Sequence, residues 1–135
     1  MREILFKAQR VDNGEWVYGN LVYGCVKEYA YIVEFGNKEL CRNYVPIIPE
    51  TVCQYTGLQD KNGKKIFEGD IVANALDHSI RATIIYSHIS FCYQWDKYTS
   101  RIRRCESEPM FTNTNIVMEV IGNIHDRSGN SEPDN

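Results

Sequence analysis

The stretch from Trp95 to Arg104 sets Lys97, Arg101, Arg103 and Arg104 against one acid, Asp96. Tyr93, Trp95 and Tyr98 lie in and beside it. Ammonium and guanidinium groups bind phosphate or carboxylate, and exposed aromatic rings stack on unpaired bases. In an antiparallel ribbon Arg101 and Arg103 point to one face, where two guanidiniums can straddle phosphates. The same groups suit contact with a protein partner. The simplest account is a solvated hairpin edge whose cations discourage strand-to-strand aggregation.

Other reactive types are spaced less suggestively. Glu68 and Asp70 flank Gly69, and two carboxylates can hold a divalent ion or divide acid and base roles. Nothing places further site residues around them, so corner-forming hydrogen bonds by Asp70 are the better reading. His88 lies near Ser90 and Cys92, which superficially resembles a base beside a nucleophile. A turn falls at residues 87–90, however, and the generic Asp96 is the only orienting carboxylate at hand. A hydrolase would need one cleft holding at least two of Glu68, Asp70, His88 and Asp96. Gly57, Gly63 and Gly69 fit neither phosphate-loop pattern and read as turns between strands. The five cysteines, Cys25, Cys41, Cys53, Cys92 and Cys105, form no C-x-x-C pair, and the three histidines stand far apart. Free thiols in a core account for such cysteines better than zinc or a disulfide scaffold. The sequence therefore assigns no catalytic, metal or cofactor residue.

The elements that must position these residues read as short strands. Ile4, Phe6 and Ala8 alternate on one face, and Asn13-Gly14 supplies a hairpin turn. Residues 16–18, 21–23 and 29–35 read as further strands, with 38–42 as a short return after Gly36-Asn37. Pro46 and Pro49 enforce extended backbone before them, and Pro49 suits one short helical turn. Asn62-Gly63 marks a hairpin tip. At Gly69 the chain can turn sharply into the strand of Ile71 and Val72. Residues 80–87 place Ile80, Ala82, Ile84 and Tyr86 on one face, 91–95 form the next strand, and 98–104 read as its return. Residues 106–115 read as an irregular connection or a short helix. Residues 116–124 form the last apolar run, with a bend or bulge at Gly122.

A chain of 135 residues with 43% hydrophobic and 12% aromatic content can build one domain or two small β-modules. Nine tyrosines fit half-buried sheet surfaces and interfaces. The net charge of −3 gives no whole-molecule attraction to phosphate backbones. No run is long enough for a membrane helix, and the start lacks an export signal's apolar region, which leads us to expect a cytoplasmic protein without a membrane partner.

The block from Pro49 to Val72 carries a family resemblance. Thr51-Val52, Gln54 to Leu58, Asp60 to Lys64 and Ile66 to Val72 closely resemble the YopX protein family of bacteriophages and prophages. The opening Arg2-Glu3-Ile4 with Phe6-Lys7-Ala8 and the closing Glu119 to Ile124 are similar to the same family. The resemblance implies a phage or prophage origin, a mainly β fold with a barrel-like C-terminal half, and assembly into homo-oligomers. It brings no catalytic or binding residues with it. Residues 76–112 fall where the family pattern is loose, so a site there would be particular to this chain.

These readings give a mainly β fold: a small antiparallel N-terminal sheet over residues 1–56, packed with a partly open SH3-like barrel over 57–125, then a flexible tail over 126–135. Gly57, Asn62, Gly63, Gly69 and Asp70 are its structural motif. The expected function is that of a non-enzymatic accessory protein acting through self-association and a phage or host protein. The alternative is nucleic-acid binding by the basic aromatic hairpin of Tyr93, Trp95, Lys97, Tyr98, Arg101, Arg103 and Arg104.

Overall fold

The computed structural model describes residues 3–24, 29–34, 44–87, 90–110 and 117–126. The chain divides into two compact units, Met1–Tyr55 and Thr56–Asn135. The fold is mainly β, built from antiparallel sheets, with a partly open SH3-like character. The expected returns at 38–42 and the expected tail, Asp126 excepted, lie outside the described residues.

In the first unit β1 (Phe6–Gln9), β2 (Trp16–Tyr23), β3 (Ala30–Glu34) and β4 (Tyr44–Ile47) pair in sequence order. The Asn13-Gly14 corner joins β1 to β2: Gly14 has φ 75°, and Asn13 Oδ1 accepts from the Glu15 amide at 2.9 Å. Where two strands are expected, over 16–18 and 21–23, β2 runs unbroken. Gly19 allows this, because a Cβ there would lie 2.1 Å from the Val33 carbonyl oxygen on β3. The sheet then curls. A bridge pairs Arg10 with Ile47, the Val11 amide donates to Pro46 O at 3.1 Å, and the Ile48 amide donates to Gln9 O at 2.9 Å. Strand β4 thus returns to the end of β1. The enclosed core is Ala8, Val17, Ala30, Ile32, Val45 and Ile47. Burying each branched side chain contributes roughly 1.5–3 kcal/mol, and the alanines let the backbones converge. The expected face of Ile4, Phe6 and Ala8 is corrected at one end: Ile4 is exposed and Leu5 is buried instead.

A single 3-10 turn (Pro49–Thr51) leads into β5 (Cys53–Gln59), whose start pairs with β1. The chain enters the second unit along β5, which forms a hairpin with β6 (Lys65–Phe67). Asp60 organises its tip. One carboxylate oxygen accepts from the amides of Asn62 at 2.8 Å and Lys64 at 2.9 Å, and the other accepts from Val120 at 2.9 Å. The sheet of this unit runs β10-β9-β8-β7-β11, from β7 (Asp70–Asn74), β8 (Asp77–Ser87), β9 (Ser90–Trp95), β10 (Ser107–Pro109) and β11 (Met118–Asn123). Its core gathers Ile66, Val72, Ala82, Ile84, Tyr93, Trp95 and Met118. Tyr86, expected to pack with Ala82 and Ile84, is exposed at the far end of β8. The register of β11 shifts between Val120 and Gly122, a bulge beside the glycine.

At the corner between β6 and β7, Gly69 takes φ 88°, a conformation that favours glycine. Its amide reaches Ile84 O at 2.7 Å, and its carbonyl accepts from Ile124 at 3.0 Å. Asp70 is fully buried. Its carboxylate accepts from the Phe67 amide and from the Asn123 side-chain amide, both at 2.8 Å. Gly57 and Gly63 also take positive φ, at 92° and 83°.

Candidate functional site

The basic segment is not a hairpin. Residues Lys97–Arg103 form a helix, α1, and the return strand β10 comes later, at Ser107–Pro109. The cause is local. Asp96 stands at the N-cap and its carboxylate accepts from the Thr99 amide at 2.8 Å, satisfying a donor that a helix start otherwise leaves open. Arg101 and Arg103 in the last turn complement the helix dipole. Arg104 then ends the helix with φ 61°, in the left-handed region.

One side of α1 is fastened inward. Thr99 is fully buried, and its hydroxyl accepts from the Arg81 amide at 3.1 Å and donates to Ser79 O at 3.4 Å. One helical turn on, the Arg103 guanidinium lies 4.8 Å from the Trp95 ring centroid. Trp95 in turn stacks on Tyr93, with centroids 5.2 Å apart and planes 23° from parallel. Glu108 on β10 locks this layer. It accepts from Arg103 Nε, from Arg103 Nη2 at 3.0 Å, from Trp95 Nε1 at 3.1 Å and from the Cys105 thiol at 3.2 Å.

These contacts correct the expected stacking platform. Tyr93 is 1% and Trp95 9% exposed, so neither offers a face to a base. Arg101 and Arg103 do not share a face either, because two residues on a helix turn about 200°. Arg103 belongs to the clasp. The outward side instead presents Lys97 and Arg101, bordered by exposed Tyr98 and Ile102, and Arg104 is exposed at the helix end.

The hydrogen bond from Arg103 holds the Glu108 carboxyl below the usual glutamate range, and Glu108 holds the Cys105 thiol above the usual cysteine range. A lowered folded-state value means the ion pair contributes fully above the ordinary glutamate value. That contribution is lost as pH falls through the lowered one. Arg103→Gln should therefore raise the pH at which Glu108 takes up its proton, read from its carboxyl chemical shift. An unchanged midpoint would show that Arg103 does not set it.

The other candidates are occupied structurally. Asp70 and Asp96 are committed to backbone and amide donors, as above, and His88 lies outside the described residues. His78 Nε2 sits 2.6 Å from Glu119 Oε2, and Asn62 Nδ2 donates to Glu119 Oε1 at 3.3 Å. Cys53 and Cys92 are buried free thiols and Cys105 is half-buried. Cys25 and Cys41 fall outside the described residues. Among the described residues no three His, Cys, Asp or Glu side chains gather to hold a metal.

A second surface was not legible as such in the sequence. The ladder pairs Val22 with Tyr31, Asn20 with Val33, Val33 with Tyr44 and Tyr31 with Pro46. With Tyr18, these residues line the face of β2, β3 and β4 turned away from the core of Val17, Ile32 and Val45. Among the described residues its β2, β3 and β4 portion carries no ionisable acid or base apart from tyrosine hydroxyls, while on the neighbouring β1 the buried Lys7 pairs with Tyr18 and lies 4.6 Å from the Trp16 ring centroid. Tyr31 and Tyr44 meet edge to face, with centroids 6.1 Å apart. The abundance of tyrosine was the only sequence signal for it.

This geometry defines a small, mainly β protein in which the glycine-marked corners and their carboxylates are architecture. The chain belongs to the YopX family: a family model described as YopX protein matches residues 5–130. That family is one of non-enzymatic phage and prophage accessory proteins. No curated protein matches the sequence. Among solved structures, the chain is similar to the crystal structure of protein EF1440 from Enterococcus faecalis. The TM-score is 0.58 at 20% identity, over 93% of this chain and 95% of that one, a likeness of fold. Among the described residues no helix is long and apolar enough to cross a membrane.

Proposed function

We propose that the protein works in the host cytoplasm as a non-enzymatic accessory protein that self-associates and, as an assembly, meets a phage or host protein. The observation that carries this reading is the outer face of β2, β3 and β4, where Tyr18, Val22, Tyr31, Val33, Tyr44 and Pro46 lie together. The occupant that best fits this face is a second copy. The chain carries a net charge of −3, so like surfaces of two copies generally repel. The β2, β3 and β4 portion of this face carries no acid to repel its like, and aromatic residues dominate interface energetics. A two-fold pairing of the face on itself is the simplest closed arrangement.

Sedimentation equilibrium across a wide dilution series tests the reading. The expected result is a mass above that of one chain that falls on dilution, and a single-chain mass at every concentration would overturn it. A second reading, contact with nucleic acid, is favoured by one observation: Lys97 and Arg101 on α1 and Arg104 at its end are exposed and form no ion pair among the described residues.

A further inference from the structure

The outward side of α1 is a cationic stripe: Lys97 and Arg101 are four residues apart, a spacing that brings long side chains to one side of a helix, and Arg104 is exposed at its left-handed end. At about 1.5 Å of rise per residue, Lys97 and Arg101 stand about 6 Å apart along the axis. The helix beneath them is held by the Asp96 cap, the buried Thr99 and the layer of Tyr93, Trp95 and Arg103. The cations therefore project from an ordered base. The acids close in sequence are Asp96 and Glu108, both engaged as described, and the exposed Glu106.

We infer that this stripe binds the phosphodiester backbone of nucleic acid without reading its sequence, an inference that rests on the second reading above. Guanidinium groups match phosphate oxygens in pairs, and an ammonium adds a point charge. Backbone contact is favoured over base contact because Tyr93 and Trp95 are buried, leaving Tyr98 as the exposed ring of the segment. An acidic peptide is the less suited partner. The strand beside the helix, β10, spans only Ser107–Pro109 and ends in a proline, so it offers a poor edge for an added peptide strand.

The test is fluorescence anisotropy with the full chain, a labelled mixed-sequence duplex and its separated single strand, across a salt series. Three phosphate contacts predict that log K falls against log salt with a slope of about −2.7 on the duplex, or about −2.1 on the single strand. The steeper slope with tighter binding identifies duplex as the target, and the shallower one a single strand. A second, scrambled sequence should bind within about twofold, since phosphate contacts carry no sequence information. Combining Lys97→Gln, Arg101→Gln and Arg104→Asn should weaken low-salt binding at least about tenfold and abolish most of the slope. The melting curve should shift only slightly, because these side chains face solvent, the loss of Arg101 removes only its small interaction with the helix dipole, and asparagine tolerates the left-handed backbone at residue 104. If the unaltered chain binds neither nucleic acid at low salt, this inference and the second reading both fall. If it binds but the triple variant binds equally well, the assignment to α1 alone falls. Preference for a poly-glutamate peptide over both nucleic acids at equal salt would also overturn it.

Discussion

Asp70→Ala should destabilise the second unit by about 2–6 kcal/mol, because it leaves two buried N–H donors without an acceptor at about 1–3 kcal/mol each. Asp70 is completely buried, and its two oxygens serve different parts of the chain: the Phe67 amide at the end of β6 and the Asn123 side chain at the end of β11. Alanine removes both acceptors. Asp70 also pairs with Asn123 in the β7–β11 ladder, so the loss falls where two strands and a glycine corner converge. Asp70→Asn keeps the volume and one acceptor but turns an amide donor toward a donor. It should cost less, about 1–3 kcal/mol. Urea unfolding at neutral pH measures both. A loss under about 1 kcal/mol for alanine would show that the corner is held by backbone geometry alone.

Trp95→Ala should cost a further-reaching 3–5 kcal/mol, roughly the range for deleting a buried large aromatic. Besides leaving a cavity beside Tyr93, it removes the surface on which Arg103 lies and the indole donor to Glu108. A seven-residue helix has no stability of its own in water. Loss of this layer should therefore loosen α1 more than the rest of the sheet. Trp95→Phe keeps a ring for stacking and loses the indole hydrogen bond, at about 1 kcal/mol. Amide hydrogen exchange separates the effects: protection of Thr99 and Ser100 should drop sharply in the alanine variant and modestly in the phenylalanine one. Equal protection in both would mean that the Asp96 cap and Thr99 alone hold the helix.

How far the sequence disclosed this structure depends on how local each signal is. The Asn-Gly tips, the corner at Gly69 and the turn at Pro49 were legible because each is set by the backbone preferences of two or three adjacent residues. Helix α1 differs from the expected ribbon although its signal is also local. Asp96 three residues before Thr99 is an N-cap pattern, and Thr99 with Arg103 is a one-turn spacing, but the alternation of the cations fits a period of two as well. The burial of Trp95 escapes the sequence for a different reason. Charged Asp96 and Lys97 follow it, and the acid that binds its indole, Glu108, sits thirteen residues away in a strand whose register no local pattern fixes. The curling of the first unit depends likewise on the Arg10–Ile47 bridge, a contact between distant residues. The tyrosines were visible as a composition, whereas their gathering on one face needed the registers of three strands.

The proposed pairing of two copies through the aromatic face of the first unit is tested by static light scattering on the unaltered protein and on Tyr18→Lys combined with Tyr44→Lys. Both side chains are about half exposed, at 45% and 49%, so the changes place charge on the face without emptying the core. The expected result is a multiple of the single-chain mass for the unaltered protein and the single-chain mass for the variant, which should still melt cooperatively. A variant that keeps the wild-type mass, or an unaltered protein that scatters as one chain throughout, would contradict it.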